Sequence, residues 1–256
     1  MTISWRVDDC IASHVDQDVL DKFGKIMIKE FEEMDTTSGN IHDFLGMKII
    51  INEDRTATID MKESIKKVIE FFEEYDNNID PDTITPAAYY SFQVNDDAEE
   101  LDKEKSEVFH STTAKLLYIM QRARPDIETA VSFLMKRVSK SNVDDWKKLR
   151  RVIGFLKGTI DEKRIIGATS LTEILTFIDS AYAVHANCRS HTGGLSSFGI
   201  GTVHARSKSS KINVKSSTES ELVSTSESLE LIITFQKSKS CTSFPMKAIF
   251  LFIYKC

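Results

Sequence analysis

The stretch LTFIDSAYAVH, residues 175–185, and the later stretch KSSTESELV, residues 215–223, decide how the second half of this chain folds. The first is part of an apolar run that predicts a strand over Leu171–Ile178, with Asp179 directly after it. The second supplies hydroxyl caps followed by first-turn acids, which predicts a helix that begins near Ser217. Two more strands are predicted between them, at Gly194–Ala205 and Ser209–Lys215.

Asp179 and the acids of that helix form the leading candidate site. About 40 residues separate Asp179 from Glu219 and Glu221, so a strand and a helix can each bring one carboxylate to the same place. In two-metal phosphodiester hydrolysis, carboxylates from separate elements hold the ions. On spacing alone, a turn-forming role for Asp179 stays open.

Asp8 and Asp9 form a second candidate site at the end of a predicted strand, Ile3–Cys10. Adjacent carboxylates in a turn can hold a divalent cation, because hard cations bind several oxygen ligands. Acids are also common in turns for backbone reasons alone, so a solvated turn is the alternative.

The remaining pattern is mostly helical. Apolar residues at helical spacing predict a helix over 15–31, and apolar runs at Phe44–Ile51 and Ala57–Met61 predict a hairpin. A proline-containing linker is predicted at Asp76–Pro86. Further helices are predicted at Lys62–Tyr75, Glu104–Arg122, Pro125–Ser141 and Val143–Lys157.

Charge is distributed unevenly along the 256 residues, although the net charge is -6. Residues 1–135 contain 14 Lys and Arg against 29 Asp and Glu, whereas residues 136–164 contain 10 against 4. The basic second half of the chain can therefore face phosphates, although the net charge of the whole chain is negative. The candidate phosphate contacts are Arg206, Lys208, Lys211 and Lys215, and the alternative is a solvated hairpin.

The four cysteines are dispersed and form no Cys-x-x-Cys pair, which argues against a zinc site or a disulfide framework. Structural roles are expected for His185, His191 and His204, because no ligand spacing accompanies them. No signal pattern or bilayer-length apolar run is present, so we expect an intracellular protein, cytoplasmic or nuclear, without a membrane partner. The sequence assigns no oligomeric state.

Taken together, residues 3–231 resemble the reverse transcriptase and ribonuclease H portion of Ty1/copia-type retrotransposon polyproteins. Several motifs in one order carry this resemblance: ISWRVDDCIASH (3–14), HDFLGMKI (42–49), ITPAAYYSF (84–92), AKLLYIMQRARPDIETAVSFL (114–134), WKKLRRVIGFLKGTID (146–161), LTFIDSAYAVH (175–185), RSHTGGLSSFGIG (189–201) and KSSTESELV (215–223).

The resemblance implies an α+β chain in which a truncated ribonuclease H-like α/β domain follows the end of a polymerase palm and a helical thumb or connection. The implied ranges are 1–80 for the palm, 81–165 for the linker and helices, 166–231 for the nuclease part and 232–256 for a divergent tail. It also implies that Asp8 and Asp9 match the palm acids, that Asp179 and Glu221 match nuclease acids, and that Mg²⁺ is the ancestral cofactor. Arg6 replaces the Tyr or Phe common at the head of the palm motif.

The resemblance further implies RNA:DNA hybrid or another nucleic acid as the partner. The family has two more nuclease Asp residues beyond Glu221 and a palm Asp upstream of Asp8. The sequence has no acid after Glu230 and none before Asp8, so we expect both sites to be incomplete and the chain alone to be catalytically inactive. A non-catalytic nucleic-acid binder using 136–215, or a helical interaction module built from 104–157, are the alternatives.

Overall fold

A computed structural model describes residues 1–31, 35–170, 173–185, 187–241 and 250–255, with their side chains as far as residue 229. These residues form helices and three sheets, which confirms the expected α+β class. The predicted strand start at Leu171 and part of the tail 232–256 lie outside the described residues. In the described part of the tail, helix α6 (Ser217–Cys241) continues to residue 241 and a strand, β12, forms at Phe250–Lys255.

Four amphipathic helices form the main hydrophobic core. Their apolar faces bury one continuous cluster of side chains, in which the rings of Phe72 and Trp146 stack with centroids 4.9 Å apart. The predicted helix over Pro125–Ser141 is interrupted, because 3-10 turns precede and follow its α-helical part. The helices are α2 (Lys62–Glu73), α3 (Lys103–Arg122), α4 (Glu128–Arg137) and α5 (Val143–Gly158).

The segment between α2 and α3 has no helix and lies against α5. The predicted linker is therefore packed against the core, and glycines in α5 make this possible. A Cβ atom at Gly154 would lie 2.4 Å from the carbonyl oxygen of Asp80, and one at Gly158 would lie 2.1 Å from that of Pro81. Only glycine leaves room for the backbone of the segment at these two positions.

The first sheet begins with a hairpin, where a single strand was predicted. Strands β1 (Thr2–Arg6) and β2 (Asp9–His14) pair antiparallel, and Val7 turns the chain with φ +53°. The prediction of one strand over Ile3–Cys10 is wrong because Val7 adopts the left-handed conformation, which an extended chain does not contain. Helix α1 follows at Gln17–Phe31 as predicted, and β12 lies between β2 and β3 (Asp35–Thr37).

The second sheet contains the predicted hairpin and three additional strands. Its order is β10-β7-β6-β5-β4, and every neighbouring pair is antiparallel. Strand β7 was not predicted, and it joins residues after α5 to the early hairpin. The strands are β4 (Ile41–Phe44), β5 (Met47–Ile51), β6 (Ala57–Asp60), β7 (Arg164–Ala168) and β10 (Gly199–Ile200).

The third sheet carries the leading candidate site. Its order is β11-β9-β8, all antiparallel, with β8 at Leu175–Ala181, β9 at His191–Ser197 and β11 at His204–Ser209. The predicted strand over Gly194–Ala205 is wrong, because Gly199 and Gly201 have positive φ and turn the chain between β9 and β11. The predicted strand over Ser209–Lys215 is also wrong, since β11 ends at Ser209 and residues 210–216 form a loop that leads into α6.

Candidate functional site

Asp179 lies inside strand β8, where the sequence placed it just after a strand. It is opposite Gly193 of β9, and its side chain is exposed. Helix α6 packs on the face of β8 that carries the Ser180 side chain, and Asp179, as its neighbour in the strand, belongs to the opposite face.

The start of α6 is fixed by hydrogen bonds that also separate the roles of Glu219 and Glu221. The hydroxyl of Ser216 accepts a hydrogen bond from the backbone N–H of Glu219 at 3.1 Å, which is the predicted hydroxyl cap. The carboxylate of Glu219 accepts one from the backbone N–H of Lys215 at 2.7 Å. Glu219 therefore stabilises the helix start, whereas Glu221 lies beside Ile178 and Asp179 of β8.

A row of serines holds α6 close to β8. Ser220, Ser224 and Ser228 are buried at four-residue spacing on one side of the helix. The Ser224 hydroxyl donates to the backbone carbonyl of Asp179 at 3.2 Å, and the Ser220 hydroxyl contacts that of Ser180. Because these side chains are small, the helix backbone approaches the strand closely beside the backbone of Asp179.

Asp179 and Glu221 line one small cavity of about 300 Å³ together with Ile178 and Thr225. The Thr225 hydroxyl donates to the backbone carbonyl of Glu221 at 2.8 Å, so it does not occupy the carboxylate. In residues 1–229, apart from the short gaps, no hydrogen bond or ion pair to either carboxylate is formed. The structure thus places both predicted acids beside one cavity, and Asp179 also lines a second cavity together with Glu128 and Arg206.

The donor set of this cavity fits a hard cation with two protein ligands. Carboxylate oxygens are the ligands that Mg²⁺ prefers, and Mg²⁺ usually keeps several waters. Across the part of the chain that the structure describes, no group of three or more His, Cys, Asp or Glu side chains is placed to hold a metal ion.

Asp8 and Asp9 lie in a different sheet from Asp179, on the β1–β2 hairpin. Asp8 is exposed in the turn, whereas Asp9 is partly buried. The Asp9 carboxylate accepts a hydrogen bond from the backbone N–H of Leu45 at 3.1 Å. The carbonyl of Leu45 in turn accepts one from the Tyr118 hydroxyl of α3.

Two of the four predicted phosphate contacts bind an acidic side chain of α6. Lys208 forms an ion pair with Glu227 at 2.5 Å, and Arg206 donates to the backbone carbonyl of Glu227 at 3.1 Å. Lys211 and Lys215 are exposed in the loop before α6. The four cations therefore form two pairs, of which only the loop pair faces solvent.

His185 and His191 form a hydrogen-bonded pair where the third sheet meets the helices. His191 contacts His185 at 3.1 Å and the Ser207 hydroxyl at 2.6 Å. Burial, followed by the positive charges of His185 and Lys136, lowers the pKa of His191 to about 4. The pKa of His204 is lowered as well, chiefly by burial.

Sequence reasoning missed the supporting residues of the site. Ser224 and Thr225 orient the backbone around Asp179 and Glu221, yet hydroxyl residues inside a helix carry no general functional signal. The available signal was the four-residue spacing of Ser220, Ser224 and Ser228, which marks a helix face without apolar side chains.

Comparison with curated proteins relates the chain to a transposon polyprotein. It is 25% identical over 226 residues to the retrovirus-related Pol polyprotein from transposon TNT 1-94 of Nicotiana tabacum. The resemblance to Ty1/copia-type retrotransposon polyproteins is thereby confirmed. This alignment covers 86% of the chain but only 17% of the Pol polyprotein.

Two further relatives match about half of the chain. An uncharacterized mitochondrial protein of Arabidopsis thaliana is 32% identical over 114 residues, which are 44% of this chain and 47% of that protein. Secreted RxLR effector protein 161 of Plasmopara viticola is 28% identical over 127 residues, which are 49% of this chain and 89% of the effector. No family model matches the chain, and no solved structure matches it.

Among the described residues, none of the helices combines the length and apolar character needed to cross a bilayer.

Proposed function

We propose that this chain is the reverse transcriptase and ribonuclease H region of a retrotransposon Pol polyprotein, with residues 166–231 forming the nuclease part. Asp179 and Glu221 then hold the Mg²⁺ used to hydrolyse the RNA strand of an RNA:DNA hybrid. The observation that carries this proposal is the small cavity that Asp179 and Glu221 both line. The intracellular location, cytoplasmic or nuclear, belongs to the same proposal.

The chain's own residues would hold and orient the metal ligands. Asp179 is fixed by the β8–β9 pairing and by Ser224, and Glu221 is fixed by the capped first turn of α6. A bound Mg²⁺ would supply Lewis acidity and lower the pKa of a coordinated water.

We further propose that the chain on its own binds the metal weakly and does not cleave hybrids. Two carboxylates leave most coordination positions of the ion to water, and loss of metal ligands removes most of the activity of such sites. The palm acids Asp8 and Asp9 are proposed as a remnant of the polymerase site. Asp9 supports this role less well than Asp8, because the Leu45 N–H already uses its carboxylate.

The metal proposal can be tested with Mn²⁺ as a paramagnetic probe of backbone amide NMR signals. We expect selective broadening of the signals of β8 and of the first turn of α6. Asp179→Asn and Glu221→Gln should each abolish this local broadening, because each removes one of the two charged ligands.

Glu219→Gln is the matched control, since a glutamine oxygen can still accept the hydrogen bond from Lys215. Broadening that survives Asp179→Asn, or that is lost equally in Glu219→Gln, would contradict the assignment. Incubation of the chain with a labelled RNA:DNA hybrid and Mg²⁺ should give no cleavage. Clear cleavage that Asp179→Asn abolishes would confirm the metal site and overturn the proposed inactivity.

A further inference from the structure

A larger cavity lies away from Asp179 and Glu221. It has a volume of about 690 Å³ and is formed by the segment 86–95 together with helices α4 and α5. This volume is in the range of small-molecule sites, which are typically about 300–1,000 Å³. The cavity combines an apolar floor with polar and cationic walls, a composition that the proposed metal site does not explain.

The cationic wall comes from one side of α5. Lys147, Lys148 and Arg151 line the cavity, and Asp144 is the acid among the lining residues. This wall is therefore electropositive. Burial lowers the pKa of Lys148 because desolvation disfavours its charged form. An anion beside Lys148 would therefore stabilise the charged ammonium group.

Each of these cations already has one partner and keeps donors for another. Lys147 pairs with Asp144 at 2.9 Å, and Lys148 donates to the carbonyl of Gln93 at 2.5 Å. Arg151 donates through two of its nitrogens to Thr85 at 2.9 Å. Ammonium and guanidinium groups carry more N–H donors than these contacts use. The contacts orient the cations without saturating them.

An aromatic ring faces the same cavity. Tyr90 lines it and is 42% exposed, so its ring is accessible to a ligand. The neighbouring Tyr89 meets Tyr90 edge to face with centroids 5.1 Å apart, but it is 96% exposed and is not among the lining residues. Phe133 contributes to the floor, beneath the Lys148 ammonium at 4.5 Å. A flat aromatic group therefore has a surface on which to stack, next to the cations.

We propose that this cavity binds a nucleoside phosphate, with the base against Tyr90 and the phosphate against Lys147 and Arg151. Stacking platforms beside positive charge are the combination that binds unpaired nucleotides. The ligand can be a free nucleotide or one nucleotide of a single strand, since both present the same base and phosphate. This inference stands independently of Asp179 and Glu221.

The test is equilibrium binding of adenosine monophosphate by calorimetry and of a labelled single-stranded oligonucleotide by fluorescence anisotropy. The double variant Lys147→Gln/Arg151→Gln should weaken binding at least about tenfold, equivalent to about 1.4 kcal/mol. Lys66→Gln/Lys67→Gln is the matched control, because it removes the same charge from exposed positions on α2. The control should bind as the unmodified chain does.

A second pair of variants tests the aromatic part without a change of charge. Tyr90→Leu should weaken the binding of adenosine monophosphate, whereas Tyr89→Leu should not. Binding of the monophosphate assigns a free nucleotide, and binding of the oligonucleotide alone assigns a single strand. The proposal is overturned if neither probe binds at about 1 mM, or if both charge variants lose affinity equally. Affinity that both tyrosine variants retain in full would overturn it as well.

Discussion

At the scale of single residues, Arg124 illustrates how a motif residue can have a structural task. It belongs to the quoted RARPDI stretch, and its side chain is only 3% exposed. The guanidinium binds Asp126 through two nitrogens, at 3.0 and 2.7 Å, and donates to the carbonyl of Thr159 at 2.9 Å. It thereby joins the turn before α4 to the end of α5.

Arg124→Ala should lower the free energy of unfolding by about 2 kcal/mol, measured by urea denaturation. The loss is smaller than for a fully buried ion pair because Asp126 is partly exposed and can be solvated. Arg6→Ala, at an exposed position of the β1–β2 hairpin, is the control and should change stability by no more than about 0.5 kcal/mol. Equal effects of the two substitutions would show that the buried contacts of Arg124 contribute nothing specific.

At the scale of elements, the amphipathic helices α2 to α5 could be predicted from the sequence, whereas the serine-rich helix α6 could be predicted only in part. Helices α2 to α5 follow apolar periodicity, so the sequence located them closely. The start of α6 was predicted from its cap, but its packing face was not, because that face is serine while Leu222 and Leu229 are exposed. In the glycine- and serine-rich third sheet the alternation is weak, and the predicted strands were displaced.

Ser224→Leu should separate α6 from β8. Ser224 is fully buried, and a larger side chain there should cost about 2 kcal/mol of unfolding free energy through overpacking. It should also reduce the Mn²⁺ broadening at Asp179, since Glu221 moves with the helix. Ser226→Leu places the same side chain at an exposed position of α6 and should leave both measurements unchanged. A Ser224→Leu protein as stable as its control would contradict close packing of this helix face.

At the scale of the whole molecule, the His185–His191 pair makes the contact between the third sheet and the helices sensitive to pH. Burial and then the charge of Lys136 of α4 lower the pKa of both histidines, and burial and Arg189 lower the pKa of Lys136 in turn. The acid of α4 nearest to this contact, Glu128, accepts a hydrogen bond from the Ser207 N–H at 2.7 Å, and burial raises its pKa.

The free energy of unfolding should therefore decrease as the pH falls. An unfolded histidine takes up a proton as the pH falls below 6.5, whereas His191 in the folded chain stays neutral until about pH 4. The contribution of His191 is complete above pH 6.5 and is lost between pH 6.5 and 4. With each pKa unit equivalent to about 1.4 kcal/mol, the loss amounts to about 3 kcal/mol.

Urea denaturation at a series of pH values checks this. His191→Gln should flatten the decline, whereas His110→Gln, at an exposed position of α3, should retain it. A decline of unchanged size in His191→Gln would rule out His191 as its source.

Strand β7 has a consequence for dividing the chain into fragments. It pairs with β6 on one edge and with β10 on the other, so a single sheet connects residues of the ranges 1–80 and 166–231, whose boundaries remain predictions. A fragment ending before residue 164 would expose the edge of β6, and one beginning at 164 would expose the edge of β7. Unpaired strand edges promote association between chains. Soluble expression of either region should therefore require the strand that the other region contributes.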